Sequence, residues 1–129
     1  MSMPRIPTRI HGLIDYFVGA GLIAAPELID FGAGGSASKF TRSMGAAAVA
    51  YSLLTDYELG AFKLLPMPAH LCVDCLWTSA LALGPWVLRF GRRGTRFWLP
   101  HAAVALTAAA VIALSDPTPR KSENRPRPV

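Results

Sequence analysis

Residues 97–115 read FWLPHAAVALTAAAVIALS. Between positions 102 and 114 a single threonine interrupts an otherwise apolar run, so a helix formed there has no polar face in any orientation. There is no alternation of period two that would indicate a strand. The length suits a helix crossing a hydrocarbon core. Three more stretches share this character: residues 10–31 (IHGLIDYFVGAGLIAAPELIDF), 41–57 (TRSMGAAAVAYSLLTDY) and 69–90 (AHLCVDCLWTSALALGPWVLRF). All four are rich in Gly, Ala or Ser, which suits close helix packing in a bilayer. The expectation is an all-α membrane protein of four transmembrane helices. The alternative, a soluble four-helix bundle, would need a polar face on each helix.

The whole-chain figures agree. Hydrophobic residues make up 52% and charged residues 16% of the 129, against about 25% charged in an ordinary soluble domain. This is too apolar for a disordered chain, and two cysteines cannot staple a disulfide scaffold. Mean hydropathy is +0.35. The first apolar run is long and is followed by three others, so it is not read as a secretory signal. Loops are expected at 31–39 (FGAGGSASK), 60–68 (GAFKLLPMP) and 90–96 (FGRRGTR), where glycines and prolines cluster. Residues 117–129, PTPRKSENRPRPV, read as a polar tail expected to be disordered.

The chain also repeats itself. Displacing it by 59 positions lays residues 69–90 on 10–31 without a gap and matches His11 with His70, Asp15 with Asp74, Leu22 with Leu81, Pro26 with Pro85 and Phe31 with Phe90. Leu54-Thr55-Asp56 likewise matches Leu114-Ser115-Asp116 with one residue of slip. One domain over 1–116 is therefore expected, built from tandem helical hairpins at about 10–57 and about 69–116. With two spans between the copies, both insert in the same sense.

Gly84-Pro85-Trp86, late in the third span, resembles the Ser-Pro-Trp motif of the SPW repeat membrane proteins, with Gly in place of Ser. Ala25-Pro26-Glu27 is the degenerate first copy, and the run Thr55-Asp56-Tyr57-Glu58-Leu59-Gly60 with His70, Leu71 and Asp74 is similar to proteins of this type. The resemblance covers about residues 5–116. It implies a small integral membrane protein and no particular activity.

Alternate crossing brings His11, Asp15, Thr55, Asp56, Tyr57, Glu58, His70, Asp74, Ser115 and Asp116 to one side of the membrane. Asp15 and Asp74 alone lie more than a turn inside a span. A carboxylate there costs several kcal/mol, so it should face the bundle and find a partner. His at i and Asp at i+4 share a helix face, so the two His-x3-Asp pairs would converge if the repeats pack symmetrically. Three readings follow. The pairs lock helices together, bind Zn, Mn or Fe, or relay protons or ions. Cys72 and Cys75, spaced C-x-x-C, are read first as small helix residues and second as possible contributors to such a site. Haem is disfavoured, because an aspartate follows each candidate histidine by one turn.

No nucleophile–base–acid constellation and no phosphate loop is visible, so the foremost expectation is a non-enzymatic structural or accessory component of a homo-oligomer or larger membrane complex. Metal or proton handling is the alternative, and a redox subunit comes after it. The net charge of +5 comes from residues flanking the spans, which fits topology rather than nucleic-acid binding. A bacterial-type inner or plasma membrane is expected. Basic residues are nearly balanced between the sides, and Arg5, Arg9 and the basic tail tilt both termini toward the cytoplasm.

Overall fold

The computed structural model describes residues 3–119. It is all-helical, with four long helices and no strand among the described residues: α1 (Thr8–Leu28), α2 (Ser36–Leu54), α3 (Met67–Val87) and α4 (Thr95–Leu114). A short 3-10 helix, Phe90–Arg93, precedes α4. The tail expected from 117 onward falls mostly on 120–129, outside the described residues.

Each helix begins earlier than its apolar run. The largest difference is in α2, where SASKF joins the helix although the loop was expected to continue to Lys39. The reason is local: Ser38 donates to the Gly32 carbonyl and Thr41 to the Ala37 carbonyl, so hydroxyls that look like loop chemistry satisfy backbone oxygens of the first turns and the loop before them. Pro7 precedes α1 and Pro66 precedes α3; each carbonyl accepts from the histidine four residues on, at 3.0 and 2.9 Å. Pro26 and Pro85 lie near the helix ends, where a ring cannot continue the ladder for long. Left-handed Asp30 and Arg89, 59 positions apart, then turn the chain.

The two hairpins are laced together by backbone at one end. Ile6 N–H donates to Leu114 O at 2.8 Å and Ile6 O accepts from Asp116 at 2.9 Å. Leu65 does the same with Leu54 and Asp56, at 2.8 and 2.7 Å. The start of each repeat thus pairs with the end of the other. Within the first hairpin the helices approach to backbone contact: a Cβ on Gly45 would lie 2.5 Å from the Gly19 carbonyl oxygen.

The interior is unusually polar. Thr8, His11, Ser38, Thr41, Ser52, Thr55, His70, Asp74, His101 and Ser115 are buried, whereas Phe17, Leu28, Leu76, Leu83, Val87 and Leu106 are exposed. Among the described residues only α4 is long and apolar enough to cross a membrane by length and composition. Its mean hydropathy is 1.8, and only 17% of that window is buried. The polar and charged side chains of α1, α2 and α3 keep those helices below the same mark.

Candidate metal centre

His11 and Asp15 on α1 meet His70 and Asp74 on α3 in the buried end of the bundle, where the two repeats are laced. The pairing crosses over. His11 Nε2 lies 2.9 Å from Asp74 Oδ2, and His70 Nε2 lies 3.1 Å from Asp15 Oδ2. Within each helix the i,i+4 distances are longer, 3.4 Å for His11–Asp15 and 3.3 Å for His70–Asp74. The two Nε2 atoms are 3.2 Å apart. Two imidazole nitrogens and two carboxylate oxygens therefore converge on one point.

The hydroxyls behind the histidines define which nitrogen faces that point. Thr55 Oγ1 is 2.6 Å from His70 Nδ1, and Ser115 Oγ is 2.6 Å from His11 Nδ1. Each hydroxyl already donates its only proton to a carbonyl one turn back, Thr55 to Tyr51 O at 2.7 Å and Ser115 to Val111 O at 2.6 Å. It must therefore accept from the imidazole. Each ring therefore carries a proton on Nδ1 and turns Nε2 toward the cluster, the orientation that a metal ligand needs.

The aspartates are held unequally. Asp74 Oδ1 accepts from the Tyr51 hydroxyl at 2.6 Å. Ser52 Oγ reaches Asp15 Oδ2 only at 3.4 Å. The repeat counterpart of Tyr51 is Val111, which offers no hydroxyl.

Of the remaining sequence candidates, Tyr57 is buried with its ring 5.5 Å from that of His70. Burial raises its phenol above the ordinary value. Glu58 accepts from Thr8 Oγ1 at 2.6 Å, outside the cluster. Asp56 is exposed, engaged through its backbone with Leu65. Cys72 and Cys75 are exposed free thiols that do not join the centre. At 100° per residue, Cys72 is turned about 200° from His70 and Cys75 about 100° from Asp74. Trp86 is half-exposed against Trp98, with ring centroids 5.9 Å apart, while Pro85 is buried. Tyr51, Thr55 and Ser115 were not singled out as site residues from sequence. Thr55 and Ser115 carried a signal, since both stand in the Leu-Thr-Asp and Leu-Ser-Asp match and were expected on the same side as the His–Asp pairs.

At the other end of the bundle His101 forms a separate feature. Its Nε2 is 2.8 Å from Thr41 Oγ1, and its ring packs among Phe31, Phe40 and Phe90. It shares no contact with the His–Asp cluster.

These four clustered side chains could hold a metal ion. No protein-family model, curated protein or solved structure matches the chain.

Proposed function

We propose that this chain is a multi-pass membrane protein that binds one divalent transition-metal ion, of the zinc class, between His11, Asp15, His70 and Asp74. The ion joins two helical hairpins, a structural role consistent with a non-enzymatic membrane component. The observation that carries the reading is the shape of the donor set. Five of the six separations among the four donor atoms span 2.9–3.4 Å, and all four atoms lie within 4.8 Å of one another. A regular tetrahedron with bonds of about 2.0–2.1 Å, the zinc–nitrogen distance, has edges of about 3.3–3.4 Å. Calcium, with six to eight oxygens at longer range, and magnesium, with octahedral geometry, do not suit this set.

Charge points the same way. A divalent cation with two carboxylates and two neutral imidazoles is net neutral, which suits a buried centre. Without a cation, protons on Nε2 would be donated to the crossed carboxylates at 2.9 and 3.1 Å, and one divalent ion would take the place of those protons.

The membrane part of the proposal is supported by the inside-out distribution of polarity. Large apolar side chains are exposed along α1, α3 and α4, while α2 exposes small and basic residues with Leu54 at its end; α4 is apolar, yet only 17% of its apolar window is buried. Water would favour their burial; lipid does not. We carry the SPW-repeat resemblance, on Gly84-Pro85-Trp86, as part of the same proposal.

The test is elemental analysis of detergent-purified full-length protein never exposed to chelator. About one zinc per chain is expected, and none in the His11→Ala/His70→Ala double variant. Metal-free protein, or metal retained in the double variant, would overturn the reading.

A further inference from the structure

The repeat that builds the centre is broken on one side of it. In the α2–α3 crossing, Tyr51 caps Asp74 and the indole of Trp77 donates to the Met44 carbonyl at 2.9 Å. In the α1–α4 crossing, the repeat puts Val111 where Tyr51 would stand and Val18 where Trp77 would stand. Two large aromatic side chains are thus replaced by two valines. A cavity lies between the two crossings, lined by Asp15, Val18, Thr107 and Val111 on the α1–α4 side and by Tyr51, Asp74 and Trp77 on the α2–α3 side. It offers about 30 Å³ to water centres, room for about two waters at 10–15 Å³ each.

We infer that the metal centre opens on the Asp15 side and accepts a small exogenous ligand there, of the class of water, hydroxide or a compact anion. This rests on the metal-binding reading above and adds to it an exchangeable position. The two carboxylates differ in the way this requires. Asp74 is fixed from behind by a 2.6 Å hydrogen bond, whereas Ser52 Oγ reaches Asp15 only at 3.4 Å. Both carboxylates border the cavity, and Asp15 is the less firmly held of the two. It can swing aside, or admit a fifth ligand beside it, without disturbing the histidines. A centre closed by four equally anchored ligands would have no such position.

The test uses the full-length protein in detergent with cobalt(II) in place of zinc, whose visible absorption is intense when four-coordinate and weakens with a fifth ligand. Cobalt uptake is read first and azide is then titrated. The expected result is a shift and loss of intensity in the wild-type band. In Val111→Phe, which fills the cavity, that response should be lost with cobalt still bound one per chain. No response to azide in the wild type, or an undiminished response in Val111→Phe, would overturn the inference. If Val111→Phe does not take up cobalt, Asp15→Ala and Asp74→Ala decide. Formate should restore the four-coordinate band in Asp15→Ala alone; restoration in both or in neither overturns the inference. Failure of the wild type to bind cobalt would remove the metal centre altogether, whereas uptake without an azide response would remove only the open position.

Discussion

Replacing Thr55 by valine keeps the side chain's volume and removes one hydroxyl, the acceptor that holds His70 Nδ1–H at 2.6 Å. The consequence can be reached by two routes. A buried N–H left without a partner costs about 1–3 kcal/mol. Loss of the group orienting a metal-bound histidine costs about 10–100-fold in metal affinity, which is about 1.4–2.7 kcal/mol at 1.36 kcal/mol per tenfold. The two ranges agree, so Thr55→Val should weaken zinc binding about 10–100-fold. Because Ser115 plays the same part for His11 at the same distance, Ser115→Ala should weaken binding to a similar extent. The assay is competition with a chromophoric chelator in detergent. Ser79→Ala is the control: that hydroxyl also donates to a carbonyl one turn back, but on the exposed surface. Zinc affinities within about threefold of wild type in both Thr55→Val and Ser115→Ala, against the minimum of about tenfold, would refute the orienting role of these hydroxyls.

Other outcomes follow from the same structure. Tyr51→Phe removes the hydrogen bond to Asp74 Oδ1 and should weaken zinc binding about tenfold or more with the stoichiometry unchanged, read by the same competition. Gly45→Ala forces a methyl group against the Gly19 backbone and should lower stability by about 1–3 kcal/mol, seen as a lower melting temperature in detergent. Gly21→Ala, whose Cβ would meet open space, should not lower it. Spin labels introduced as Leu83→Cys and Leu106→Cys in a Cys72→Ser/Cys75→Ser background should be relaxed by oxygen far more than by a water-soluble nickel complex, because both positions are exposed on helices proposed to face lipid; the opposite preference would contradict the membrane reading.

Much of the centre was legible because two unusual features coincided in the sequence. His-x3-Asp places both groups on one helix face, and its recurrence after 59 positions suggested that the two faces meet. What the spacing does not reveal is the crossed pairing, in which each histidine is nearest the aspartate of the other repeat. That depends on the relative height and rotation of α1 and α3. Tyr51 was hidden for a related reason: its partner Asp74 is on a different helix, and nothing in a run such as AVAYSLL distinguishes a tyrosine that caps a carboxylate from one that packs. The Cys72-Cys75 spacing drew attention as chemistry, yet helix geometry turns both thiols outward. The four apolar runs located the helices, but each helix starts earlier, most of all α2, where Ser38 and Thr41 hydroxyls bond to the Gly32 and Ala37 carbonyls. The asymmetry at Val18 and Val111 is visible in the repeat alignment only once Trp77 and Tyr51 are known to fill the opposite crossing.

The central claim is that four side chains from two repeats enclose one metal ion. X-ray absorption at the zinc edge, on protein purified without chelator, addresses it most directly. The account predicts a shell of nitrogen and oxygen ligands at about 2.0–2.1 Å, with the outer scattering of two imidazoles, both lost in His11→Ala/His70→Ala. A shell of sulfur at about 2.3 Å, signalling Cys72 and Cys75 instead, or no bound zinc, would contradict it.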